Sequence, residues 1–581
     1  MIRSFLLFLA FIAAPSAHAD PAKEFRRLHE AEWSFRLKAF PQLATSVGDH
    51  RYNDRLADMS LEAINRRHEY YRGLLEKLDA LDSEALSPEE RINFRIFRRQ
   101  IQTFVTDVET GEHLIPLNSD WGFHVGLARL PANAPLANAK DYRNYLARLE
   151  QVPRVMDQYI DLMQRGIERG MVQPRVVLQG RDVSITTHIV DEVESSVFYR
   201  PFSQFPATID EALQEEFEAA GRTLVADEII PSYRKFLDFF NGPYMEAARE
   251  SLAATTLPNG EAFYQGQIRK YTTLDLTPHE IHAIGQREVK RIRAEMETII
   301  DNLEFEGGFD AFLEFLRTDP RFYAESPREL LAEASYISKK IDGRLPALFG
   351  HLPRQPYGVE PVPEDLAPFF TAGRYVGAAE DARRGGMYWV NTHDLPSRPL
   401  YALPALTLHE AVPGHHLQNA LALELGDLPP FRRYDYISAY GEGWALYSEW
   451  LGVEAEIYET PYENFGRLTY EMWRACRLVV DTGMHAKGWS REKAVDFMAS
   501  NTALSLHEVN TEIDRYISWP AQALSYKLGE LKIKALRKRA SEALGDRFDL
   551  RAFHDRILSL GSVPLDVLEG VIVEWIAAQQ G

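Results

Sequence analysis

The stretch Leu408-His409-Glu410-Ala411-Val412-Pro413-Gly414-His415-His416-Leu417-Gln418 sets three imidazoles and a carboxylate within eight residues of an otherwise apolar segment. That concentration of His and Glu on what reads as a buried helix is metal-site chemistry. The usual zinc-peptidase spacing is H-E-x-x-H, in which two His four residues apart share one helical face and the Glu works on bound water. Here Pro413 stands where the second His would be. At about 100° per residue, His409 and His416 point nearly the same way but stand about 10 Å apart along the axis, while His409 and His415 start on opposite sides. Neither pair meets on a straight helix. Pro413 removes a backbone donor and clashes with the preceding turn, and Gly414 reaches conformations closed to other residues, so a kink or wide turn is expected. Such a break can swing His415 back towards His409.

The stretch resembles the H-E-x-x-P-G-H-x-x-Q pattern of the bacterial domain-of-unknown-function 885 proteins, a family similar in turn to the H-E-x-x-H zinc peptidases. The likeness runs through roughly residues 45–575 and includes Leu257-Pro258-Asn259-Gly260, Tyr388-Trp389-Val390-Asn391-Thr392, Glu442-Gly443-Trp444-Ala445-Leu446-Tyr447 and Pro520-Ala521-Gln522 with Tyr526. It implies Zn²⁺ held by His409 and His415, because the His after Pro-Gly is the fixed one in the pattern, with His416 as the alternative ligand or a close neighbour.

Gly441 to Leu451 reads as a second helix with Glu442, Ala445 and Glu449 along one face. Gluzincin sites take their third ligand, a carboxylate, from such a helix. The Glu442-Gly443-Trp444 setting resembles the Glu-Gly-Phe ligand segment of angiotensin-converting-enzyme-like peptidases, which implies Glu442 as third ligand. Glu449, two turns on, suits the orienting of a ligand His. Two His and one Glu leave zinc a fourth position for water, whose pKa it lowers. Glu410, beside the first ligand but off the metal face, suits the general base. By the same resemblance Tyr526 and His485 are the candidate donors to an oxyanion. Arg474 or Arg515 can bind a substrate carboxylate bidentately, as a carboxypeptidase or dipeptidase requires.

The chain opens with Arg3, an apolar run from Phe5 to Ala14, and Ala17-His18-Ala19 before Asp20, the three parts of a secretory signal peptide over residues 1–19. The run is too short to span a bilayer, and no Cys follows it to accept a lipid, so residues 20–581 are expected as a periplasmic or secreted helical domain without stable membrane insertion. A single Cys, Cys476, excludes internal disulfides and Cys-based metal clusters, leaving His and carboxylates as the only ligands. The net charge of -20 disfavours nucleic acid and anionic membranes as partners.

Ser87-Pro88-Glu89-Glu90 and Thr277-Pro278-His279-Glu280 are capping boxes with Pro at the first helical position, and each predicts a helix start. Helix is also predicted over Lys140 to Gly170 with a restart at Pro153. His279-Glu280-Ile281-His282 imitates a metal motif, but its spacing is wrong and Glu280 is a cap. Between Asp342 and Gly386, Pro and Gly rise and periodicity fades, which predicts loop. Met387 to Thr392 is the best strand candidate, and as an edge strand it would pair with extended substrate through the region of Tyr388 and Asn391.

Taken together, the expected fold is mainly α: a large single helical body with a deep cleft and a short β element next to the metal-binding helix, gluzincin-like. The expected function is exported, zinc-dependent hydrolysis of peptide bonds in short peptides. The same metal and base also serve non-peptide amides or esters, and a metal-dependent binding protein without turnover is the alternative from another class.

Overall fold

Local capping decides where several of the longest helices begin. The N-terminal helices are α1 (Pro21–Ala39), α2 (Leu61–Asp79) and α3 (Pro88–Glu109). At the start of α3, Ser87 Oγ accepts from the Glu90 N–H at 3.3 Å and a Glu90 oxygen accepts from the Ser87 N–H at 3.2 Å. The predicted 140–170 helix is two, α4 (Ala139–Leu149) and α5 (Val152–Arg169), with Pro153 in the first turn of the second. Thr277 and Glu280 cap α6 (Pro278–Asn302) in the same reciprocal way, so Glu280 is spent on backbone. These coordinates are a computed structural model that describes residues 20–580 apart from 365–366, 368–369, 378–383 and 427. The signal-peptide expectation for 1–19 lies outside the described residues.

The region predicted as loop before Gly386 contains two strands, β1 (Tyr357–Pro361) and β2 (Gly373–Val376). With β3 (Gly386–Val390) they form a three-stranded sheet in the order β1-β3-β2. Tyr357 lies opposite Gly386 in the parallel pair, and Tyr375 lies opposite Tyr388 in the antiparallel one. This corrects the expectation for β3, which is the central strand. Both its edges are taken, so it cannot add a substrate strand, and β2 and β1 form the edges. The short strands escaped detection because each is held by partners distant in sequence rather than by its own periodicity.

The C-terminal half supplies α7 (Leu403–Glu410), α8 (His415–Glu424), α9 (Ser438–Glu454), α10 (Pro461–Lys487), α11 (Leu506–Ser518) and α12 (Ser525–Leu544). Every residue of α10 from Phe465 to His485 is buried, Cys476 among them, so this helix is the central pillar, with α6 alongside it. A helix apolar or internally paired all round belongs in the interior of a large body. The main apolar core joins N-terminal residues such as Phe25 and Phe97 to C-terminal ones such as Trp444 and Val567. A second, aromatic-rich core around Phe123, Tyr142, Phe202 and Phe236 lies within residues 56–248. No helix of the described residues is long and apolar enough to cross a membrane.

The α9–α12 contact admits only glycine at its closest point. A Cβ on Gly529 would lie 2.0 Å from the Ala439 carbonyl oxygen, and one on Gly443 would lie 2.5 Å from Gly529 Cα. Gly529→Ala is therefore expected to lower unfolding stability by about 1–3 kcal/mol. Denaturant titration reads the loss.

Burial pushes the core imidazoles of His124 and His554 down from 6.5 to about 4. The unfolded chain takes up these protons below pH 6.5 while the fold refuses them until about pH 4. Stability contributed by the neutral imidazoles is thus intact above pH 6.5 and lost as the pH falls towards 4. Thermal midpoints at pH 7, 6 and 5 should decrease in that order, and His554→Gln should flatten the decline.

Candidate metal centre

The anticipated break in the His stretch is present, and it has a specific shape. α7 ends at Glu410, and Ala411 leaves helical geometry with φ -92° and ψ -111°. The Val412–Pro413 peptide is cis, and the Pro413 carbonyl accepts from the Trp444 indole N–H on α9 at 2.7 Å. Gly414 then folds back onto the end of α7. A Cβ there would stand 1.9 Å from the His409 carbonyl oxygen and 2.4 Å from that of Leu408. Glycine is required at 414 for this close approach, not for a left-handed conformation. α8 starts immediately afterwards, so His415 is its first residue and faces back across the break.

The result is convergence. His409 Nε2 lies 3.6 Å and His415 Nε2 3.4 Å from the same oxygen, Oε2 of Glu442. The two imidazole planes stand at 88° with centroids 4.9 Å apart. Ligand atoms of the three residues all lie within 4.8 Å of one another and could hold a metal ion. Ligands bonded to a tetrahedral zinc at about 2.0–2.2 Å are separated by about 3.4 Å, so both His–Glu spacings match such an ion, and the donor set is one zinc accepts.

Groups around the triad fix its orientation. His409 Nδ1–H donates to Glu449 Oε1 at 2.7 Å, which sets the tautomer that leaves Nε2 turned to the triad. Arg474 Nη2 approaches the same Glu449 oxygen at 3.5 Å. Burial works against charge on His409, yet the carboxylates of Glu442 and Glu449 beside it outweigh this and carry it up to about 9. Burial alone would raise the Glu442 carboxyl, but the adjoining imidazoles of His415 and His409 hold it well below the carboxylate range. Glu410 is buried with Oε2 accepting from the backbone N–H of Tyr375 at 2.8 Å, and its charge reaches His409.

Several other residues singled out by sequence are placed differently. His416 points away, with Nδ1 at 3.3 Å from the Tyr375 hydroxyl and Nε2 at 3.1 Å from the Gln355 carbonyl, so it props the β2 side and is not turned to Glu442. His485 is a correction: Nδ1 accepts from the Ala254 N–H at 3.1 Å and Nε2 donates to the Tyr516 carbonyl at 2.9 Å, leaving no donor for an oxyanion. Arg515 is likewise committed, with two nitrogens on Glu512 and one on Gln522, and so presents no open fork to a substrate carboxylate. Arg474 is buried between Glu449 and the Tyr470 carbonyl. Tyr388 is wholly buried with its hydroxyl 3.4 Å from Thr407, and the Asn391 amide is spent on the Ala367 and Phe370 carbonyls. Tyr526 does lie near the triad, its ring 4.4 Å beneath the Arg477 guanidinium, and burial first and the Glu442 charge second raise its phenol.

Sequence reasoning missed two groups at the site. Tyr375 anchors Glu410, and Tyr436 donates its hydroxyl to Glu442 Oε1 at 3.1 Å. Tyr375 lies in the aperiodic Pro- and Gly-rich region and Tyr436 in the turn before α9, where no local pattern marks them.

The fold and site define a mainly helical protein whose two imidazoles and one carboxylate meet across a broken helix. The chain belongs to the family described as bacterial protein of unknown function (DUF885), whose sequence profile matches residues 41–572. It is similar to the crystal structure of a candidate lipoprotein from Colwellia psychrerythraea, with a TM-score of 0.89 and 28% identity over 97% of this chain and 100% of that one. The fold is also that of a candidate lipoprotein of unknown function from Shewanella oneidensis, with a TM-score of 0.75 and 18% identity over 94% of this chain and 99% of that one. No curated protein matches the chain.

If the triad is the metal centre, His409→Ala, His415→Ala and Glu442→Ala should each reduce bound divalent metal to background, while His416→Ala retains it. Glu449→Gln should weaken metal affinity by about 10–100-fold. Elemental analysis and competition with a chelating dye read both.

Proposed function

We propose that the protein is an exported, zinc-dependent hydrolase of gluzincin type that cleaves peptide bonds in short peptides. The observation that carries this reading is the facing of His409 Nε2 and His415 Nε2 onto one oxygen of Glu442, with Glu410 immediately beside the first imidazole. A structural zinc site would close its shell with four protein ligands, whereas three described ligands match the catalytic kind. The expected leader at residues 1–19 and the description of both related structures as candidate lipoproteins favour an envelope or exported location.

Zinc held by His409, His415 and Glu442 supplies Lewis-acid polarisation of the scissile carbonyl and acidifies water. The remaining work belongs to the chain. Glu410, its carboxylate held by the Tyr375 N–H, takes the proton of the attacking water and delivers it to the leaving amine. Glu449 holds His409 with its proton on Nδ1 and Arg474 supports Glu449. The Tyr526 phenol, kept protonated by burial and by Glu442, donates to the oxygen that becomes negative. The edge of β2 bearing the Tyr375 N–H lies against Glu410 and so fixes this carboxylate beside the sheet.

Glu410→Gln should leave metal content unchanged and lower kcat on a cleavable peptide by about 10²–10⁴-fold. Release of free amino groups from a panel of dipeptides and blocked peptides is the measurement. Unaltered hydrolysis by Glu410→Gln, or silence of the unmodified zinc-loaded protein across the panel, removes this assignment. Tyr526→Phe should reduce kcat more than it raises KM.

A further inference from the structure

Apart from the metal centre, the fold encloses a cavity of about 330 Å³ between the first turn of α7, the start of α11 and the connection that joins β3 to α7. Leu403, Leu406, Val390, Ala503 and Leu504 make its walls apolar, and the exposed Leu506 also borders it. Its size lies at the lower end of the range of roughly 300–1,000 Å³ typical of small-molecule sites.

Two charged side chains distinguish this lining. Among the described residues the Glu508 carboxyl has no hydrogen-bond or ion-pair partner, and Arg398 has only the carbonyl of its neighbour Ser397, at 3.4 Å. The two feel one another's charge without closing into a salt bridge. Other cations near Glu508 are already committed. Arg474 is held by Glu449 and the Tyr470 carbonyl, and Arg477 by Glu512 and the Tyr516 hydroxyl. Arg317, also in the lining, is held by the carbonyls of Ala499, Thr502 and Leu504. Burial first and the Glu512 charge second lift the Glu508 carboxyl to about 7 against the pull of Arg398, Arg474 and Arg477. This carboxyl is short of a counter-cation.

The pair of unmatched charges limits what can occupy the cavity. A purely cationic ligand would meet Arg398, a purely anionic one would meet Glu508, and an apolar one would cover both charges without supplying partners. An α-amino acid carries both signs on one carbon. Its ammonium offers three donors to Glu508, its carboxylate accepts from the Arg398 fork, and its side chain is left for the leucine wall.

We propose that this cavity binds a free α-amino acid with an apolar side chain, its ammonium on Glu508 and its carboxylate on Arg398. No residue of the metal triad lines the cavity, so the site stands independently of the hydrolytic reading.

The test titrates L-leucine, glycine, L-leucinamide and N-acetyl-L-leucine into the metal-loaded, full-length protein by calorimetry, with ligand-observed NMR for the weaker probes. Leucine should bind saturably. Loss of its carboxylate in the amide, of its ammonium in the acetyl compound, or of its side chain in glycine should each weaken binding about tenfold or more. Glu508→Gln should weaken leucine about tenfold or more and spare N-acetyl-L-leucine, which has no ammonium to lose a partner. Arg398→Gln should weaken leucine to the same degree and spare leucinamide. A misfolded variant would lose both of its probes, so retention of one marks the loss of a contact, and the probe series on the unmodified protein stands without the variants. No binding of leucine, equal binding of the amide or the acetyl compound, or leucine affinity undiminished in both variants, as binding at the metal centre would give, overturns the site.

Discussion

The arrangement depends on how two carboxylates on one face of α9 are partnered inside the protein. Glu442 and Glu449 lie two turns apart, about 10 Å along the axis, and the side chain of Glu449 is only 1% exposed. Removing a carboxylate from water costs several kcal/mol unless partners replace the solvent. The His409 imidazole lies between them, one nitrogen on Glu449 and the other facing Glu442, with Arg474 closing the far side of Glu449. His415 turns a second imidazole nitrogen to Glu442. Loss of any member leaves a buried polar group without its counterpart, so these residues hold one another in place as one network.

That clamp propagates into the rest of the site. With His409 fixed over α9, the end of α7 is fixed as well, and Gly414 can double back on it while Trp444 secures the Pro413 carbonyl. Glu410, next in the chain, is then aimed to the side where the Tyr375 N–H meets it. β2 is thereby tied to α7 at Glu410 and Leu406 together.

The sequence was most informative where the deciding interaction is local. The capping boxes at Ser87 and Thr277 are satisfied by atoms three residues away, so reading them needs no knowledge of the fold. The expectation of a break at Pro413-Gly414 is of the same kind, since it rests on the backbone chemistry of two adjacent residues. The pairing of His409 and His415 with Glu442 was legible through a spaced motif and its resemblance to a known pattern. His485 and Arg515 were misread because a polar residue on a buried helix looks the same in sequence whether it serves a ligand or the protein's own backbone and carboxylates.

By itself, then, the sequence determined the helical class, the principal helix starts, the place where a helix must break and the residue types that could bind a metal. Tertiary structure alone decided that β3 is central rather than an edge, that Tyr375 holds Glu410 and that Tyr436 meets Glu442. The physical reason is range. Caps, prolines and helical faces act within a turn or two of chain, whereas strand order and the satisfaction of buried polar groups depend on residues brought together from distant parts of the sequence, which no local pattern records.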